Sequence, residues 1–261
     1  KLDTTGQDVS TDLTYLTGSR RRISIQGNGP RGLAIADSKV YTASYFSESV
    51  DIVKLEKDSD FETVGLPLGI TKPMNLARLG ERYFYDATLS FQQWESCNSC
   101  HIDIRNDGLN WDLVNDGMGN PKNTKSLLYS HFTPPTTITG IRPNAETSVI
   151  AGLLHNHFVQ FENDENLAID EFLKSQKAVP SPRLRKGKLS KAARRGKALY
   201  ESTGCIRCHG GEFLTDQQLY DVGTGTGNEA GTRFDTPSLR EIWRTGPYLY
   251  DGRAATMREV L

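Results

Sequence analysis

Along the first 75 positions, apolar and aromatic residues gather in β-branched runs at 33–36, 39–46 and 49–55, broken by the turn-like triplets DSK and SES. This spacing predicts an antiparallel meander of three or four strands over residues 1–75, about one propeller blade. One blade leaves unpaired edges, so it needs either further chain to complete it or a surface to pack on. Beyond position 76 the pattern turns helical. The run NLAIDEFLKSQ (166–176) predicts a helix, stopped by Pro180 and Pro182. Ser190 is a good N-cap for a second helix, KAARRGKALYES (191–202). ATMREVL (255–261) reads as an amphipathic helix that ends without a cap, as in a fragment of a longer chain.

A duplication runs through the helical part. ARLGERYFYD (77–86) matches ARRGKALYES (193–202), with Gly80 and Gly196 expected to open each helix. KNTKSLLYSHFTPPTTITGIR (122–142) matches FDTPSLREIWRTGPYLYDGRA (234–254), placing Ser126-Leu127 over Ser238-Leu239, Pro135 over Pro247 and Gly140 over Gly252. The expected domains are residues 1–75, 76–180 and 181–261, the last incomplete at its C-terminus.

Between the repeated pieces lie all four cysteines, in WESCNSCHID (94–103) and STGCIRCHGG (202–211). Cys-x-x-Cys alone is compatible with zinc, a redox dithiol or haem. The histidine after each pair, His101 and His209, favours haem. Thiols at i and i+3 share a face and can form thioethers with the two vinyl groups of one haem, while the following imidazole reaches the iron as proximal ligand. Joint zinc binding by both pairs is the alternative. Hydrophobic residues make up 36% of the chain, lean for a packed core, and a large apolar prosthetic group would fill that deficit. A net charge of −1 over 261 residues argues against a nucleic-acid partner. No apolar run approaches a membrane span, and KLDTTGQDVS does not resemble a signal peptide. Eight basic residues lie between Arg183 and Lys197, either a solvated linker and helix face or a docking patch for an acidic electron partner.

The paired motifs, the stretches RNDGLNWDLVNDGMGNPKNTKSLL and FDTPSLREIWRTGPYLYDGRAAT, and the preceding blade resemble the di-haem cytochrome c peroxidase superfamily. The similarity is greatest to its branch in which a YVTN-type β-propeller precedes the di-haem unit. The fold expected is mainly α: two cytochrome c-like haem domains preceded by a small antiparallel segment resembling a propeller blade. The resemblance implies two covalent haem c groups on Cys97, Cys100, Cys205 and Cys208, with His101 and His209 proximal, in a periplasmic or otherwise exported protein. It also implies a calcium ion between the domains, at Asn123 and the carbonyls around Asp235 and Pro237.

An iron with two strong axial ligands relays electrons, whereas one with an open position can bind peroxide. For the first haem His131 ranks first as distal ligand, because its loop should cross the far face, then His155; His157 and Met118 are further candidates. For the second, Met257 is a weak candidate and Tyr250 a weaker one. The family's acid-base glutamate is expected near Val159 and Gln160, with Glu162 out of register. Tyr250 replaces a family histidine, and the inter-haem tryptophan expected near Ile138 is missing, although Trp94, Trp111 and Trp243 are present. The function expected is electron transfer between the haems and an external acceptor, either peroxide or a small redox protein. The alternative is a relay or docking module of a larger redox complex, without peroxidase activity. A third reading is radical-forming oxidation of a substrate, as in the methylamine-pathway relatives.

Overall fold

The computed structural model describes residues 14, 18, 21–55, 61–69, 73–113, 119–160 and 163–261. Met118 and Glu162, both considered above, lie outside them. The chain divides into two compact units, Lys1–Lys72 and Pro73–Leu261.

The first unit is the expected meander. Strands β1 (Pro30–Ala36), β2 (Lys39–Ser44), β3 (Ser49–Lys54) and β4 (Thr63–Pro67) pair antiparallel in sequence order. Asp37 and Ser38 both take positive φ, 49° and 57°, the two-residue turn whose twist matches paired strands. Side chains of β3 alternate between buried and half-buried, the period of two that a one-faced strand requires. At its centre the fully buried Asp51 carboxylate accepts from the backbone N–H groups of Gln26 and Gly27, each at 3.0 Å, and from the Ser44 hydroxyl. Three donors offset the cost of burying that charge.

The second unit holds α1 (Leu76–Tyr85), α2 (Cys97–Cys100), α3 (Ala145–His155), α4 (Asn163–Ser175), α5 (Lys191–Ser202) and α6 (Met257–Val260). Ser190 caps α5 as expected, its side chain accepting from Ala193 N–H at 3.1 Å. Phe84 of α1 and Ile169, Phe172 and Leu173 of α4 form a core with Ile104, Leu128 and Leu153. Gly80 lies in the middle of α1, not at its start, and so does Gly196 in α5. At Gly80 the two helices touch backbone to backbone: an added Cβ would stand 1.7 Å from the Ala168 carbonyl oxygen. The fold is mixed where a mainly α one is expected. Between its helices the chain runs in single 3-10 turns, left-handed residues and two-residue ladders, β5 (Asn110–Trp111) with β6 (Lys122–Asn123) and β7 (Leu219–Tyr220) with β8 (Phe234–Asp235).

The duplication is visible in the backbone. Tyr129 and Glu241, both left-handed, open the 3-10 turns Ser130–Phe132 and Ile242–Arg244. Isolated bridges then join Thr136 to Arg142 and Tyr248 to Ala254, with Thr137 and Leu249 left-handed inside them. The halves meet through reciprocal bonds: Asn123 N–H donates to Tyr250 O at 2.7 Å, and Asp235 N–H to Ile138 O at 2.8 Å. These four residues are equivalent in pairs, so the contact has the form of an approximate two-fold interface.

Candidate haem-binding turns

Each Cys-x-x-Cys-His segment is a short turn whose backbone fixes the histidine. In the first, Ser96 N–H donates to Ser99 Oγ at 3.0 Å, starting the single turn of α2 that carries Cys97 and Cys100. His101 leaves the helix at φ −102°, ψ 62°, and its Nδ1 lies 3.3 Å from Arg105 O. A carbonyl can only accept, so Nδ1 carries the proton and the Nε2 lone pair stays available. Burial lowers the His101 pKa, which keeps the ring neutral and fit to ligate a metal. In the second segment Gly204, at φ 91°, opens the 3-10 turn Cys205–Arg207. His209 Nδ1 lies 3.2 Å from Pro237 O, which fixes the same tautomer. The Tyr200 hydroxyl of α5 donates to His209 O and ties that helix to the turn.

In the first pair the electrostatics argue against a redox dithiol. Burial pushes the Cys97 and Cys100 thiols up to about 12, with the Glu95 carboxylate raising both further. A thioredoxin-type dithiol depends on the opposite shift. Among the described residues no group of three or more His, Cys, Asp and Glu side chains is arranged to hold a metal ion, so the two pairs do not combine into a zinc site.

The candidate distal ligands are scattered. His131 is 1% exposed, with Nε2 at 2.8 Å from Asp170 Oδ1 and Nδ1 at 3.5 Å from Ser130 Oγ. Asp170 thus holds the His131 ring through Nε2, while Nδ1 has only the long approach to the Ser130 hydroxyl. His155 ends α3, exposed to solvent. His157 stands beside the first pair, Nε2 at 3.8 Å from Cys97 Sγ and 3.9 Å from Glu95 Oε1, while its buried Nδ1 has no partner. Burial lowers its pKa. Met257 is half-buried at the start of α6, and the Tyr250 hydroxyl is held by Thr226 Oγ1 at 2.8 Å. Trp111 donates to Asp107 at 2.8 Å, and Trp94 and Trp243 are exposed.

At the expected calcium position, Asn123 Nδ2 donates to Pro247 O at 2.6 Å, leaving Oδ1 buried without a partner. Asp235 Oδ1 is likewise unpartnered, and its Oδ2 pairs with the Lys125 ammonium. Two features escape the sequence: the Glu95–His157 approach, and a buried ion pair between Arg105 and Glu241. Both join residues far apart in the chain, and neither carries a local motif.

Residues 74–181, which contain the first turn and α1 through α4, match the family model of the di-haem cytochrome c peroxidases. Over that span the chain is similar to the family. Over 242 residues it is 28% identical to hydrazine synthase subunit gamma of Kuenenia stuttgartiensis, covering 71% of this chain and 69% of that protein. Over 264 residues it is 23% identical to the methylamine utilization protein MauG of Methylophilus methylotrophus, covering 82% and 79%. A solved structure of Kuenenia stuttgartiensis hydrazine synthase superposes with TM-score 0.65 at 27% identity, over 73% of this chain and 79% of that one. A MauG-like protein associated with microbial copper homeostasis gives 0.57 at 26%, over 74% and 75%. The family is one of c-type cytochrome oxidoreductases and implies two haem c groups. The donor sets fit them: each half offers two thiols on one turn and an imidazole whose Nδ1 is committed to a backbone carbonyl, leaving Nε2 to ligate.

Proposed function

We propose that this protein is a di-haem electron-transfer oxidoreductase. Cys97 and Cys100 hold one haem by thioethers with His101 Nε2 as its proximal ligand, and Cys205, Cys208 and His209 hold the other. The haems supply one-electron redox chemistry. The chain fixes each imidazole, covers its back with a carbonyl, and joins the halves so that an electron can cross between them. The observation that carries this reading is the double occurrence of one device, a cysteine pair followed by a histidine whose Nδ1 is committed to a backbone carbonyl. Residues 76–180 and 181–261 are accordingly two haem domains, and residues 1–75 a propeller-blade-like module. The exported setting is the periplasm or beyond, and no helix among the described residues is long and apolar enough to cross a membrane.

The external acceptor is either hydrogen peroxide or a protein. The relay reading is favoured just beyond α3, where Val159 and Gln160 stand near the position at which the family resemblance expects an acid-base glutamate. A calcium ion on the unpartnered Asn123 Oδ1 completes the proposal; Lys125 beside Asp235 already supplies part of the positive charge there. The test is intact mass of the exported protein together with low-temperature EPR in the ferric and half-reduced states. Two haems, with a high-spin signal appearing on half-reduction and peroxide consumed, support the enzyme. Two haems that stay low-spin with no peroxide consumed support the relay, and a mass equal to the bare chain defeats both.

A further inference from the structure

The contacts between the halves of the second unit come in equivalent pairs, and one pair breaks the equivalence. Phe213 follows His209 at the same distance in sequence as Arg105 follows His101, and Tyr129 and Glu241 are the left-handed residues opening the two equivalent 3-10 turns. On one side Tyr129 and Phe213 meet ring to ring, centroids 5.0 Å apart. On the other, Arg105 grips Glu241 through two parallel bonds, Nε to Oε2 at 2.9 Å and Nη2 to Oε1 at 2.7 Å. The two side chains are 9% and 2% exposed. Their other polar partners are also in place. Arg105 Nη1 donates to Asp103 O at 2.7 Å, Val179 N–H donates to Glu241, and Arg244 Nη1 stands 3.7 Å from Glu241 Oε2. The carbonyl of Arg105 is the one that accepts from His101. The pair is thus built on the very residue whose carbonyl holds one proximal histidine, whereas the carbonyl that holds the other belongs to the uncharged Pro237.

We infer that the Arg105–Glu241 pair is a positioning and tuning device that makes the two haem sites electrostatically unequal, acting on the reduction potential of the haem held by His101. The inference rests on the two-haem reading above. Buried charges interact strongly because little water screens them, and the intact pair holds its two charges in balance. Reduction lowers the positive charge at the iron by one. An unbalanced guanidinium at Arg105 therefore favours the ferrous state, and an unbalanced carboxylate favours the ferric. Removing either partner should move the potential, with opposite sign for the two.

The experiment is a potentiometric titration of the exported two-haem protein followed by EPR, the lines of each haem being assigned through His209→Lys. Glu241→Gln, nearly isosteric, is expected to raise the potential of the His101 haem, and Arg105→Gln to lower it. The His209 haem should move less in both, and Arg105→Lys, which keeps the charge, should leave the potentials near the parent values. If one single variant does not accumulate, the other decides, since each carries its own sign. Shifts of the same sign, equal shifts of both haems, or none at all overturn the inference. A parent protein lacking two haems overturns it together with the underlying reading, whereas two haems with unmoved potentials overturn it alone.

Discussion

The histidines show how little a residue type says before its partners are known. His131 and His157 are both buried, yet the first has its ring committed to Asp170 and the second keeps an unpartnered Nδ1 beside Cys97. Breaking a buried pair by deleting one partner leaves the other stranded, so Asp170→Ala should destabilise the second unit by roughly 3 kcal/mol in urea denaturation. His131→Gln should likewise lose stability while leaving the haem absorption bands in place; a displaced band would restore His131 as an iron ligand. Acid should act through His157. Burial holds its folded pKa below the ordinary 6.5, so the stability of the neutral ring is present above that pH and lost as pH falls through the lowered value. Glu95 works the other way. Desolvation raises it from 4.5 to about 7, so its contribution is full below 4.5 and lost as pH rises through about 7. Urea midpoints measured from pH 4 to 9 should show His157→Gln flattening the acid limb and Glu95→Gln the alkaline one.

At the level of elements, the duplication makes its own control. Gly80 and Gly196 are equivalent, but a Cβ at Gly80 would meet the Ala168 carbonyl oxygen at 1.7 Å, and one at Gly196 would have nothing within 4 Å. Gly80→Ala should therefore force α1 off α4 and cost about 3 kcal/mol, whereas Gly196→Ala should add about 0.5–1 kcal/mol through helix propensity alone. Equal effects in chemical denaturation would mean that the two helices are covered alike. What could be read from the chain alone divides along the same line. The meander, the α5 cap at Ser190 and the repeat were legible because strand alternation, a capping residue and a Cys-x-x-Cys-His spacing are local patterns. The mid-helix position of the glycines was not, since what fixes Gly80 is a backbone contact with a helix about ninety residues later. Nor was the tie between His131 and Asp170, or that between Arg105 and Glu241. Such pairs are set by tertiary packing, and no sequence period records them.

Across the second unit, charge is distributed very unevenly. The chain carries a net charge of −1, yet Arg183, Arg185, Lys186, Lys188, Lys191, Arg194, Arg195 and Lys197 form an exposed basic stretch whose nearest acidic neighbour in sequence is Glu201. This stretch runs into α5, and the Tyr200 hydroxyl near the end of that helix donates to the carbonyl of His209. A partner drawn to the basic face would thus arrive beside the second haem-binding turn, with little protein to cross. Fields of this kind raise encounter rates by roughly ten- to a thousand-fold and weaken steeply with salt. Reduction by a small acidic redox protein, followed by stopped-flow absorbance of the haems, should therefore slow as ionic strength rises from 0.02 to 0.5 M. Charge reversal at Lys191 and Arg194 should lower the bimolecular rate about tenfold at low salt and flatten its salt dependence, with intramolecular electron transfer unchanged. A rate indifferent to both salt and reversal would place partner entry elsewhere and return this stretch to a solvated linker and helix face.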